Sequence, residues 1–342
     1  MKAIVQDRYG SADVLKLEEI EKPPVGKGQV ILRVGAASVF IGDWHMMTGT
    51  PYAIRLVSGL RAPKQHVLGQ DLAGTVEAVG DAVTGFRAGD EVFGAGVGAF
   101  AEYATARPDK LAPKPTNLRF EEAATVPTTG CTALQGLRSV GKVQAGQRVL
   151  VIGAAGGVGS FAVQIAKAFG AHVTGVCSTS KVDLVRSIGA EEVIDYTQED
   201  IAHGTRHYDL IFDTAGNRDV SDLRRILTPK GTLVLAGGEG GGRWLGMGRV
   251  VKAKAMSPFV GQRMTNVLGR TKTQYLLVLK DLIGAGKITP VIGARYPLSD
   301  VPDVIRELGP DTDEAKLSLP CELMHHYSPA SSHPVPHVIS TM

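Results

Sequence analysis

Cysteine is scarce: the 342 residues contain three, Cys131, Cys177 and Cys321. An odd number at such wide spacings excludes a disulfide framework and a cysteine-rich metal lobe, and makes a reducing compartment, the cytoplasm, the expected location. Basic runs are missing too. Lys+Arg 37 against Asp+Glu 34 leaves +3, with no run suited to nucleic acid or to an anionic membrane. No apolar run follows Lys2, so the opening MKAIVQDRYG reads as a strand and not as a signal peptide. Val149 to Ala166 is apolar and free of charge, but glycines at 153, 156, 157 and 159 break it into strand, turn and helix, which argues against a membrane span.

Glycine, by contrast, is in excess, 42 residues in 342, well above the usual ~7%. With 44% apolar and 21% charged residues the composition is that of a folded soluble protein, and the length allows two domains. In the first part of the chain short apolar runs alternate with Gly/Pro turns: Val30 to Val34, Ala73 to Val79, Gly89 to Phe93 and Glu102 to Ala104. That spacing predicts a small β-barrel-like domain. From Val149 onward, strands alternate with helices. Strands are expected at 149–152, 172–177, 192–195, 210–213 and 232–236, with a sixth inside 259–267, and helices at 158–169, 180–188, 221–227 and 275–285. This is the pattern of a doubly wound parallel sheet, an α/β unit added to the β unit. Ile288 to Ile292 returns to β character, so the chain is expected to rejoin its first domain, with divisions at 1–121, 122–268, 269–308 and a tail over 309–342.

Between a buried strand and an amphipathic helix lies Gly153-Ala154-Ala155-Gly156-Gly157-Val158-Gly159-Ser160. Small residues there permit a tight turn, close approach of backbone N–H groups to a pyrophosphate, and close packing of helix on strand. Ala154 takes the first slot of the usual G-x-G-x-x-G. No lysine follows the glycines, which excludes a nucleotide-hydrolysing phosphate loop. At the end of the next strand, an acid would hold a ribose 2′-hydroxyl and repel a 2′-phosphate. Ser178, Thr179, Ser180 and Lys181 stand there instead, which favours NADPH over NADH. The two serines would equally serve as helix N-caps.

Together with Gly69-Gln70-Asp71-Leu72-Ala73-Gly74, Gly89-Asp90-Glu91-Val92-Phe93-Gly94, Ala99 to Tyr103, Ala123 to Pro127 and Thr132-Ala133, these features carry a family resemblance. Over about residues 1 to 305 the chain resembles the medium-chain dehydrogenase/reductases, specifically the zinc-free quinone oxidoreductase (ζ-crystallin-like) branch. The resemblance implies a GroES-like β-barrel catalytic domain, a Rossmann cofactor domain, a cleft between them, and a homodimer formed through the cofactor domain's edge strand near 259–267. It surrounds the cofactor with Thr128, Thr132, the loop from Gly153 to Gly159, Ser178, Ser180, Lys181, Tyr196, Ala215 and Gly237.

Zinc-dependent relatives hold a catalytic metal through a Cys, a His-Glu pair and a second Cys. The corresponding positions here are Phe40, Gln70-Asp71 and Thr128, so no metal is expected, because zinc needs about three suitable protein groups. His45 is then the candidate proton donor or hydrogen-bonding group, with a packing histidine as the plain alternative, and Asp43, two residues before it, is the second catalytic candidate. Phe40 stands where many quinone reductases carry Asn. Along with Trp44, Met46, Met47, Tyr52 and Phe93 it would wall an apolar substrate pocket, although each of these residue types is as readily core.

The expected activity is zinc-independent hydride transfer from NADPH to a quinone or α,β-unsaturated carbonyl, a small apolar partner. The alternatives are an NAD(P)-dependent alcohol dehydrogenase, which the missing ligands disfavour, and a weakly catalytic NADPH-binding protein, which Phe40 and the tail keep open. Beyond Leu308 the family's closing helix, basic turn and Val/Ile-rich strand give way to a His/Ser/Pro-rich run, expected to be loop-like or disordered, with the last strand lost or replaced. A shift of reading frame near Gly309 would produce such a change.

Overall fold

The computed structural model describes residues 1–203, 206–236, 247–257, 260–309 and 337–340. In chain order, β1 (Lys2–Val5) and β2 (Lys16–Glu19) form a hairpin, followed by β3 (Val30–Val39), α1 (Ile41–Thr48), α2 (Arg55–Ser58), β4 (Asp71–Val79), β5 (Glu91–Ala95), β6 (Tyr103–Ala106) and β7 (Leu111–Pro113). Two short helices, α3 (Phe120–Ala124) and α4 (Pro127–Leu134), lead into a regular alternation. It runs β8 (Arg148–Ile152), α5 (Gly157–Ala168), β9 (His172–Cys177), α6 (Val182–Ser187), β10 (Glu192–Asp195), β11 (Tyr208–Asp213), α7 (Val220–Arg225), β12 (Leu227–Leu235), α8 (Met247–Met256) and β13 (Arg263–Asn266). Then come α9 (Thr273–Gly284), β14 (Ala294–Pro297), α10 (Val301–Glu307) and β15 (His337–Ser340).

Strands β8 to β13 all pair in parallel, in the order β10-β9-β8-β11-β12-β13. This is the doubly wound sheet that the sequence indicates, and its strand order reverses between β8 and β11, where a crevice opens at the carboxyl ends. The other large sheet follows β14-β15-β3-β4-β5-β7 with β6 also on β3, and is antiparallel except where β15 meets β3. One apolar core joins the two sheets, running from Ala36, Ala73 and Phe93 through Ala123, Val126 and Leu134 to Val151, Phe161 and Phe212. Helices α3 and α4 supply its middle.

Two expectations need correction. Ile288 to Ile292 is not a strand. Gln164, on α5, donates from Nε2 to Thr289 O at 3.1 Å and accepts from Thr289 N at 2.8 Å, so a side chain takes the backbone groups that a strand partner would. The strand forms a few residues later, at β14. The tail, in turn, is not irregular throughout. Val338 and Ile339 are buried, and β15 lies between β14 and β3, so the sheet's missing member is replaced and not lost.

Candidate cofactor and active site

β8 delivers the chain to Gly153, whose φ of 78° lies in the left-handed region that glycine adopts without strain. Gly153 and Ala154 both donate N–H bonds to Val176 O, at 3.2 and 3.0 Å, which ties the turn to the end of β9. A Cβ on Gly159 would collide with Gly153 O, so α5 can approach its strand this closely only with bare backbone. Gly156 enters α5 extended and no side chain caps the helix. The amides of the first turn, from Gly157, Val158 and Gly159, are therefore left for an anion.

Gly153, Ala155, Gly156, Ser178, Tyr196 and Ala215, all singled out from sequence, come together around a cleft of ≈ 210 Å³ above β8, β9 and β11. Ile152, Val176, Cys177, Asn217 and Arg218 complete its walls. Sequence reading missed these five. The position of Asn217 and Arg218 just past β11, on the far side of the reversal in strand order, was the available signal. None of the lining residues is acidic. Asp195 ends β10, and its carboxylate accepts from Thr179 Oγ1 at 2.6 Å and from Thr197 N and Oγ1 at 3.0 and 2.8 Å, which holds it below the usual carboxylate range.

The hydroxyls of Ser178 and Ser180 lie 3.5 Å apart. Ser178 takes the N-cap position of the turn Thr179–Lys181, but neither hydroxyl makes a capping bond, which leaves both side chains for other partners. Lys181 follows on the same turn. Of the other expected residues, Gly157, Val158, Gly159, Ser180 and Lys181 adjoin the cleft in sequence without lining it, Ala154 is fully buried with its N–H committed, Thr132 is buried in α4 against Gly269, and Thr128 is bonded to Asp71. Gly237 lies outside the described residues.

On the antiparallel side, Phe40 N donates to Asp43 Oδ2 at 3.0 Å, and Asp43 N donates to Phe40 O. Asp43 is wholly buried and its Oδ1 has no partner. Burial pushes its carboxyl well above the ordinary range, opposed by the Phe40 bond and assisted by the charge of Asp71. With no surface to offer a substrate, Asp43 is a helix-capping acid and not a catalytic group as expected. His45 Nδ1 lies 2.8 Å from Thr50 O. A carbonyl can only accept, so Nδ1 carries the hydrogen and the neutral ring presents Nε2 as an acceptor. Burial lowers the pKa of His45 below 6.5, partly offset by the bond to Thr50. The ring can therefore donate from Nε2 only when protonated, at acid pH, which narrows the proton-donor expectation.

The Trp44 ring stands edge-on to His45 with centroids 5.2 Å apart, and Phe40 lies over Gly42, where a Cβ would strike its ring. Phe40, Trp44 and Tyr52 keep exposed surface. Met47 and Phe93, expected in the same wall, have essentially none and belong to the cores beneath. None of these residues lines the glycine-loop cleft.

Asp71 was read from sequence only as part of a missing ligand set and Thr128 also as a cofactor contact, yet the two form a pair. Asp71 Oδ2 accepts from Thr128 N and Oδ1 from Thr128 Oγ1, each at 2.7 Å, which joins the start of β4 to the first turn of α4. Burial, working against those two bonds, raises the Asp71 carboxyl from 3.8 to about 7. With Phe40 and Gln70 beside an Asp71 already engaged by Thr128, the donor set does not fit zinc. Among the described residues, no group of three or more His, Cys, Asp or Glu could hold a metal ion.

Comparison with known proteins agrees with this architecture. Residues 26–116 match the alcohol dehydrogenase GroES-like domain and residues 157–266 match the zinc-binding dehydrogenase domain. The NADPH-dependent alkenal/one oxidoreductase, chloroplastic, of Arabidopsis thaliana is 35% identical over 90% of this chain and 76% of its own length. The 2-methylene-furan-3-one reductase of Solanum lycopersicum is 33% identical over 87% and 73%. The quinone oxidoreductase of Coxiella burnetii superposes with a TM-score of 0.78 at 27% identity, covering 100% of this chain and 99% of that one. Among the described residues no helix is long and apolar enough to cross a membrane. The chain belongs to the medium-chain dehydrogenase/reductase superfamily, in its quinone oxidoreductase branch, and is an oxidoreductase.

Proposed function

We propose that this protein reduces quinones or α,β-unsaturated carbonyls with NADPH and without zinc. The observation that carries the cofactor reading is a cleft at the glycine loop bordered by Ser178, Tyr196 and Arg218 and lined by no acid, which suits a ribose 2′-phosphate. The first-turn amides of α5 would hold the pyrophosphate, and Ser178, Ser180, Lys181 and Tyr196 the adenosine end. When bound, the nicotinamide supplies a hydride to an electron-poor carbon. On the acceptor side, Phe40, Trp44 and Tyr52 would exclude water and position an apolar ring. His45 would accept a hydrogen bond through Nε2 when neutral and donate one when protonated, with solvent as the proton source at neutral pH. The same reading divides the chain into catalytic parts at 1–121 and 269–308 and a cofactor part at 122–268. It also joins two copies across the open edge of β13 and places the protein in the cytoplasm.

The test is a comparison of NADPH and NADH affinity in the parent and in Lys181→Ala. NADPH should bind the parent more tightly, and the substitution should weaken it by roughly ten- to hundredfold while leaving NADH nearly unchanged. Equal affinities in the parent would overturn the NADPH assignment. NADPH oxidation with a panel of quinones and enones tests the acceptor class, and persistence of activity in chelator tests zinc independence.

A further inference from the structure

The segment after α1 presents an inverted pattern of burial. Within Tyr52–Leu60 the small residues Ser58 and Gly59 are buried, whereas Leu56, Val57 and Leu60 are 74%, 78% and 69% exposed. Internal contacts enforce this. Tyr9 Oη bonds Ser58 Oγ at 2.7 Å and Gly59 O at 2.6 Å, and Lys64 N donates to Ser58 O at 2.7 Å, which folds 58–64 into a closed turn. A Cβ at Gly59, whose φ is 126°, would strike Ala62 O. From behind, Arg55 donates to Gly49 O at 3.0 Å and packs between the rings of Tyr9 and Tyr52, 4.5 and 4.9 Å from their centroids. Three large apolar side chains are thus held exposed, on a turn whose small residues are the buried ones.

Charge is as one-sided as shape. From Trp44 to Gln70 there is no Asp or Glu, while Arg61 and Lys64 flank the apolar tip and are exposed. At the far end of the segment His66 Nδ1 meets Asp7 at 2.9 Å, which places that neighbouring acid against His66. An apolar wedge rimmed by cations, with no acid in its own segment, complements the boundary between anionic headgroups and acyl chains. A protein partner would have to offer a recess of matching shape, whereas a lipid surface adapts to the wedge.

We propose that the Leu56–Lys64 segment docks this protein reversibly on anionic lipid surfaces, with Leu56, Val57 and Leu60 entering the acyl boundary and Arg61 and Lys64 meeting the headgroups. Arg61 and Lys64 stand three residues apart among neutral residues, too few to mark a basic run in the sequence. This surface stands apart from the reductase reading: a protein that reduces no quinone could still bind lipid, and a failure to bind lipid leaves the cofactor cleft untouched.

The experiment is flotation of the full chain with vesicles of phosphatidylglycerol mixed equally with phosphatidylcholine, against phosphatidylcholine alone. Binding should favour the anionic vesicles and weaken as salt is raised. Leu56→Ser/Val57→Ser/Leu60→Ser should lower partition about tenfold or more. Arg61→Glu/Lys64→Glu should lower it by at least about 25-fold, since each cation is worth about fivefold at an anionic surface. Both variants change only exposed side chains and should keep the parent's melting temperature and its NADPH oxidation rate with a water-soluble acceptor. No flotation of the parent, or equal flotation of parent and triple variant, overturns the proposal. So does concentration-dependent self-association that the triple variant abolishes in the absence of lipid, which would assign the tip to a second copy.

Discussion

Single side chains set two pH responses of opposite origin. His45 is a base with a lowered pKa, so it is neutral through most of the working range and protonates only on the acid side of 6.5. Replacing it with Gln should change kcat by less than about tenfold at pH 8, leave NADPH affinity unchanged, and flatten any rise in rate as the pH falls below 6.5. A loss of a hundredfold or more at pH 8 would mean that the ring donates from Nε2 in a tautomer other than the one Thr50 selects. Asp71 is an acid with a raised pKa, so the folded protein holds its proton more tightly than the unfolded chain does between 3.8 and about 7. Stability contributed by this group therefore falls as pH rises across that window and is level above it. In Asp71→Asn that slope should vanish, read as a difference in melting temperature between parent and variant that shifts in the variant's favour from pH 5 to 8. A constant difference would show that Asp71 does not titrate there.

At the scale of elements, the glycine turn fixes how close α5 lies to β8. Because the Gly159 Cβ position is filled by Gly153 O, Gly159→Ala should cost about 1 to 3 kcal/mol by overpacking, measured by urea unfolding, and weaken NADPH binding by misplacing the helix end. An unchanged unfolding midpoint would show that α5 can retreat freely. This turn was legible from sequence, as was β8, because a parallel strand buried on both faces appears as an unbroken apolar run, here Val149 to Ile152, ended by a glycine. The second half of the candidate site was less legible. Met47 and Phe93 resemble pocket residues by type, and only packing shows that they are core. Ile288 to Ile292 has strand composition, but Gln164, far away in the chain, takes its backbone groups. The Asp71–Thr128 pair spans residues whose types suggest no partner, so only the tertiary fold reveals it.

For the whole molecule, closure of the antiparallel sheet rests on four residues near the end of the chain. β15 is too short for periodicity to mark, yet it buries Val338 and Ile339 and pairs with both β3 and β14. Deleting residues 337–342 should remove about 3 to 6 kcal/mol of apolar burial and leave an unpaired edge on β3. Lower unfolding midpoints together with self-association by light scattering are expected, and a truncated chain that melts like the parent would show the sheet to be complete without β15. The bond pair between Asp71 and Thr128 also bears on descent. Were a lineage to acquire a metal here, Thr128→Cys taken alone would strip Asp71 of its hydroxyl donor, and a new His at Gln70 would arrive beside a carboxylate already engaged. Each single step is expected to cost about 1 to 3 kcal/mol before any ion could reward it. The way to a metal site is thus uphill one substitution at a time, and the two-residue clasp acts as an evolutionary barrier.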